Sequence, residues 1–201
     1  MNRSRLFHFV WIVGLASLWI MGATAVLAGN DEEVIDPNDL ARPGWYAGAS
    51  GVFAISAYRD LLGSTGNGGG ANVRLGYRSK GNVALEAEFE WIDGFEQDFS
   101  GSALRDYSSY LLGLNGKIYT SSATLQPYFL LGANLMTVST SNSVDGSSDR
   151  SSDWGFRMGG GADYYLNPKV ALTLEATYVW GVGDVWQRDY VSIGGGVLYR
   201  F

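Results

Sequence analysis

The 201-residue sequence has no cysteine and a single histidine. Without cysteine there is neither a disulfide framework nor a thiolate metal site. The one histidine, His8, lies in an N-terminal leader, so the chain without its leader has no imidazole for catalysis or metal binding. Charged residues are scarce, 17 %, and no basic block occurs, which speaks against a nucleic-acid partner. The formal net charge of -6 becomes -8 when Arg3 and Arg5 of the leader are subtracted. A helical hydrophobic period is absent beyond the leader. What the chain has in quantity is glycine, 28 residues, and aromatic side chains, 14 %, the composition of strands and turns.

The leader carries Arg3 and Arg5, an apolar run from Leu6 to Ile20, and then Ala23-Thr24-Ala25-Val26-Leu27-Ala28. That order is the tripartite pattern of a secretory signal peptide, with cleavage after Ala28 or Ala25. An uncleaved anchor is the weaker reading, although Phe7 to Leu27 is nearly long enough to span a bilayer. Residues 1–28 are therefore read as a signal peptide and the protein as exported. Residues 29–43 are acidic, contain two prolines and show no periodicity, and read as a flexible lead-in. Residues 44–201 remain for the folded domain.

Within that domain the stretch from Val83 to Trp91 sets the pattern. In a strand, Val83, Leu85, Ala87, Phe89 and Trp91 share one face, and Ala84, Glu86, Glu88 and Glu90 the other. Three carboxylates in a row cannot enter an apolar core unpaired. Strands are expected over about 45–57, 69–79, 82–93, 106–119, 125–139, 152–166, 169–182 and 189–201. The second sets Val73, Leu75 and Tyr77 against Asn72, Arg74, Gly76 and Arg78. The seventh sets Val170, Leu172, Leu174, Ala176, Tyr178 and Trp180 against Lys169, Thr173, Glu175 and Thr177. The eighth sets Val191, Ile193, Val197, Tyr199 and Phe201 against Ser192, Gly194, Gly196 and Arg200.

The connections alternate in length. Ser79-Lys80-Gly81, Thr120 to Thr124 and Asn167-Pro168 are tight, whereas Tyr58 to Gly68, Gly94 to Arg105, Thr140 to Ser151 and Gly183 to Arg188 are long and polar. Long strands with alternating short turns and long loops are the mark of an up-and-down outer-membrane barrel. A soluble barrel would turn the apolar face inward. Trp45, Tyr77, Trp91, Tyr178 and Trp180 lie near strand ends, where membrane interfaces place aromatic girdles. Glycines on the polar face (Gly159, Gly161, Gly194 and Gly196) leave room in a narrow lumen for long charged side chains. The fold class read from these features is all-β, an eight-stranded antiparallel up-and-down transmembrane β-barrel.

The opening Gly44-Trp45-Tyr46-Ala47-Gly48-Ala49, the Pro127-Tyr128 start of the fifth strand and the ending Val197-Leu198-Tyr199-Arg200-Phe201 resemble the OmpA-like outer-membrane β-barrel family over residues 44–201. The resemblance is to barrel-only members without a peptidoglycan-binding domain, so a cell-wall tether is not implied. It implies location in the outer membrane of a Gram-negative-type bacterium. It also implies contact with outer-membrane lipid and lipopolysaccharide. Tyr199 and the terminal Phe201 resemble the signal read by the barrel-assembly machinery.

The charged residues of the polar faces form one candidate interior network: Arg74, Arg78, Glu86, Glu88, Glu90, Lys117, Arg157, Asp163, Glu175 and Arg200. The hairpin across Ser79 to Gly81 sets Arg74 level with Glu86 or Glu88, and the Asn167-Pro168 turn is expected to bring Arg157 near Glu175. An eight-stranded barrel has an interior just wide enough for side chains to fill, so a salt-bridged filler is the main reading and a gated ion path the second. Glycosidase work by the glutamates fails on substrate access. No catalytic, cofactor or metal site is identified. Asp145 to Asp149 lacks the spacing of a Ca²⁺ loop, and Gly66 to Gly70 lacks the helix and Lys-Ser/Thr of a phosphate cradle. The expectation is a monomeric protein that is not an enzyme. Its role is structural or surface-interacting (adhesion, envelope integrity, a host or surface ligand held by the loops), with a low-conductance channel as the alternative.

Overall fold

The computed structural model describes residues 36, 38–57, 67–80, 82–99, 103–142, 148–183 and 189–201. The signal-peptide reading, residues 29–35, and most of the loops Tyr58 to Gly68 and Gly183 to Arg188 lie outside the described residues, as does the Asp145 part of the excluded Ca²⁺ loop.

Eight strands follow in order: β1 (Gly44–Ser56), β2 (Asn67–Arg78), β3 (Val83–Phe99), β4 (Ala103–Tyr119), β5 (Leu125–Asn142), β6 (Ser148–Asn167), β7 (Val170–Gly181) and β8 (Tyr190–Arg200). Each pairs antiparallel with its neighbour, and β1 pairs with β8 from Tyr46 opposite Arg200 to Ser56 opposite Tyr190. The barrel is therefore closed and leaves no sheet edge in the part that crosses the bilayer, as a membrane demands.

The turns follow from their residues. Asn167 Oδ1 accepts the Lys169 and Val170 N–H groups at 2.9 Å each, an Asx turn that reverses the chain between β6 and β7. Asn82 closes the β2–β3 turn at φ 57°, a left-handed conformation that asparagine tolerates.

Inside and outside are inverted relative to a soluble protein. Lys117 is 0 % exposed and Phe129 is 69 % exposed. The outer wall carries Leu75, Phe89, Leu112, Leu131, Leu172, Leu174 and Val197, while Arg74, Glu86, Arg157 and Asp163 are fully or almost fully buried. An apolar outer wall over a charged interior is stable where the surroundings are hydrocarbon.

Two groups of strands differ from their expected length. The loops expected at Gly94 to Arg105 and Thr140 to Ser151 are largely strand, because β3 continues to Phe99, β4 begins at Ala103, β5 continues to Asn142 and β6 begins at Ser148. About 9–11 residues cross a bilayer in a tilted strand, so the 17 residues of β3 and the 20 of β6 extend past it. In the sequence of the projecting part the apolar alternation that marks a membrane strand is gone. Backbone pairing persists without it, after a register shift between Ile92 and Phe95 where Gly94 adopts φ 84°.

Candidate functional site

The strand parity read from Glu86, Glu88 and Glu90 decides what enters the lumen. Inward side chains converge on the axis of a narrow barrel, so long ones meet across the lumen rather than beside their own strand. Arg74 on β2 lies opposite Glu88 in the register. Its guanidinium nevertheless pairs with Glu175 of β7 at 3.1 Å and stands 3.8 Å from Glu86. Lys117 of β4 faces the same two carboxylates, 2.9 Å from Glu86 and 3.4 Å from Glu175. Tyr46 donates to Glu86 at 2.9 Å and Tyr128 to Glu175 at 2.8 Å. This cluster holds two cations and two carboxylates.

A second cluster sits toward the loop end. Arg157 of β6 pairs through Nη1 with Glu88 and through Nη2 with Glu90, each at 2.5 Å. The expected approach of Arg157 to Glu175 is not what the register gives: Arg157 lies opposite Val179, and Glu175 opposite Gly161. Glu88 also accepts from Asn72 at 3.0 Å and Asn115 at 2.5 Å, and Glu90 from Tyr190 at 2.7 Å and Ser192 at 3.4 Å.

Three residues expected in the same network stand apart from it. Arg78 is held by Gln126 and by Asn82 at 3.2 Å, with its guanidinium 4.0 Å above the Tyr119 ring. Asp163 accepts from the Tyr119 hydroxyl at 2.8 Å. Arg200 reaches the carbonyls of Leu40 and Arg42 and the Tyr165 hydroxyl. All three lie toward the turn end, where tyrosines rather than opposite charges line the wall.

The residues that sequence reasoning missed are mostly uncharged. Tyr46, Tyr119, Tyr128 and Tyr190 are buried in the lumen, and their strand parity was the signal that could have placed them. Cross-strand glycines make room for two of them. Gly76 lies opposite Tyr46 and Gly161 opposite Tyr128, and a Cβ on either glycine would run into the tyrosine ring. Apolar residues enter too. Val52, Ala54, Ile92, Leu111, Met136, Val138, Val179 and Tyr190 pack into a layer at the loop end. Tyr46, Ala84, Tyr119, Tyr128, Leu130, Tyr165, Ala171 and Leu198 form one at the turn end. Between them, the space bounded by Glu88, Leu111, Gly113, Asn115, Asn134 and Arg157 has no room for a water molecule.

On the outer wall the expected girdle residues form ring pairs. Trp45 and Tyr77 meet edge to face at 5.3 Å, as do Tyr199 and Phe201 at 5.5 Å, both at the turn end. Tyr178 and Trp180 lie 6.3 Å apart toward the loop end, where Trp91 is also exposed. Aromatic rings at both rims are the interface anchors of a membrane protein.

A lipid-type wall, two aromatic rims and a filled charged lumen define an outer-membrane β-barrel protein. The model of the outer membrane protein beta-barrel domain family matches residues 16–201, and the chain belongs to that family. It is 28 % identical over 174 residues to outer membrane protein A of Salmonella typhi, a match covering 78 % of this chain and 48 % of that protein. The chain thus spans about half the length of the curated relative it matches. Among solved structures, Neisserial surface protein A is similar with a TM-score of 0.57 at 20 % identity, covering 79 % of this chain and 97 % of that one. OprG from Pseudomonas aeruginosa is similar with a TM-score of 0.51 at 18 % identity, covering 79 % of this chain and 96 % of that one. These likenesses establish the fold. The protein resides in the Gram-negative outer membrane, and the proteins it matches are barrels rather than members of a catalytic family.

Proposed function

We propose that the protein is a closed-lumen outer-membrane barrel with a structural and surface-interacting role and no catalytic one. The observation that carries this reading is the layering of the lumen: a paired charge belt, with no room for a water molecule in the space beside Glu88 and Arg157, between apolar layers at both ends. Filling of this kind favours a rigid scaffold over a solute path. The projecting hairpins β3–β4 and β5–β6 would then carry envelope contacts or a surface ligand beyond the membrane. The barrel would work as a monomer among outer-membrane lipid and lipopolysaccharide. Tyr199 and Phe201, exposed at the end of β8, would serve the barrel-assembly machinery as its recognition signal.

A low-conductance channel is the second reading. It is favoured by one observation: Arg74 and Lys117 each face both Glu86 and Glu175. Shared partners allow the four groups to exchange pairings, and lumen charges tune selectivity in open barrels. Planar-bilayer recording of the refolded full chain separates the two. The closed reading expects no unitary conductance above the bare membrane. A steady unitary current would put the channel first.

A further inference from the structure

Residues 38–43 precede β1 and end the 29–43 stretch, whose acidic, aperiodic sequence reads as a flexible lead-in. Two consecutive turns give them a fixed shape instead. Asp36 accepts the Asn38 N–H on its carboxylate at 2.9 Å and the Asp39 N–H on its carbonyl at 3.0 Å. Asp39 repeats the arrangement with Ala41 at 2.8 Å and Arg42 at 3.3 Å. Aspartate in the first position of a turn does this because its short side chain reaches the N–H two residues on.

The double turn delivers Leu40 to the lumen, where its side chain packs against the turn-end layer. The Leu40 carbonyl is gripped from two walls. Arg200 Nη1 on β8 donates to it at 2.6 Å, and Gln126 Nε2 on β5 at 3.3 Å. In a closed ring of eight, β5 stands diametrically opposite β1. A segment that runs into β1 and is held by β5 therefore lies across the mouth. Arg200 also donates to the Arg42 carbonyl, and Arg42 donates to the Phe201 carbonyl at 3.4 Å. Arg200 is buried, and a buried guanidinium must find acceptors. Among the described residues these are the two lead-in carbonyls and Tyr165.

We propose that residues 38–43 are a built-in stopper that closes the turn-end mouth, with Arg200 as its latch. The stopper lies beyond the charge belt and closes the lumen independently of how the belt is paired. Its latch lies on β8 and one acceptor, Phe201, directly follows β8, so its seating depends on the pairing of β8 with β1.

The absence of cysteine makes a direct test simple. Ala171, at the second residue of β7, is buried in the turn-end layer under the stopper. In the refolded full chain, Ala171→Cys should react slowly with a small water-soluble maleimide. Adding Leu40→Gly or Arg200→Gln should speed labelling about ten-fold or more, as local opening does, with the heat-modifiable gel mobility of the folded barrel unchanged. If Arg200→Gln does not fold, Leu40→Gly carries the test alone. Equal labelling rates with and without Leu40→Gly, whether fast or slow, would overturn the stopper. A conducting wild-type protein would overturn the stopper together with the closed-lumen reading above, whereas equal labelling rates in a wild type that does not conduct would overturn the stopper alone.

Discussion

The two halves of the charge belt solve the same problem by different means. The turn-side half is neutral by count, with Arg74 and Lys117 facing Glu86 and Glu175. The loop-side half is not, with Arg157 alone between Glu88 and Glu90. Its surplus carboxylate charge is offset by neutral dipoles, since Asn72, Asn115, Tyr190 and Ser192 all point donors at the two glutamates. Buried charges must be paired or hydrogen-bonded, and the comparison shows both routes within one lumen. It also shows where redundancy lies: removing one cation from the turn-side half leaves another within reach of both carboxylates, whereas among the described residues the loop-side half has no spare.

The sharpest way to break this comparison is Arg157→Ala. It strands Glu88 and Glu90 together, and loss of one partner of a buried pair costs about 3–5 kcal/mol. The loss should appear as an earlier midpoint in a urea titration of the barrel in lipid vesicles. Arg74→Ala should cost less, about 1.5–3 kcal/mol, the range for hydrogen bonds to charged groups, because Lys117 remains between Glu86 and Glu175. A double-mutant cycle should couple Arg74 to Glu175 more strongly than to Glu88, its neighbour in the register. The reverse order would mean that pairing runs along the hairpin and not across the lumen. The smallest effect separates the hydroxyls. Tyr190→Phe should cost about 1.5 kcal/mol and Tyr46→Phe about 1 kcal/mol or less, since Glu90 shares its one cation with Glu88 while Glu86 keeps Lys117. Equal losses in the same titration would show that the two halves are equally redundant.

Parity made much of this visible beforehand. Glu86, Glu88 and Glu90 on one face, with Leu85, Phe89 and Trp91 on the other, require two unlike environments on the two sides of one sheet. The second, seventh and eighth strands repeat the demand clearly, and the first, fourth and fifth less cleanly. The ends of β3 to β6 were not visible because the regular apolar alternation stops in the sequence before those strands do. The inward turn of Ile92, Leu111 and Met136 was obscured for the opposite reason: these are apolar residues on the polar face, and hydrophobicity argues against the side that parity assigns them. The turns at residues 38–42 were not legible within the lead-in because they rest on Asp36 and Asp39 acting at first turn positions and on an arginine 160 residues away from Leu40 in sequence.

The sequence by itself determined the period-two pattern, the strand number, the outward apolar wall and which charges share a face, because each depends on neighbours along one strand or hairpin. Tertiary structure alone decided which charge meets which. Closure of β1 onto β8 lets long side chains of β2 and β7 reaching inward meet within a narrow lumen, and lets β5 and β8 both reach the lead-in. Partners such as Arg74 with Glu175, or Arg200 with Leu40, are therefore set by the curvature of the closed sheet, a property that no local stretch of residues contains.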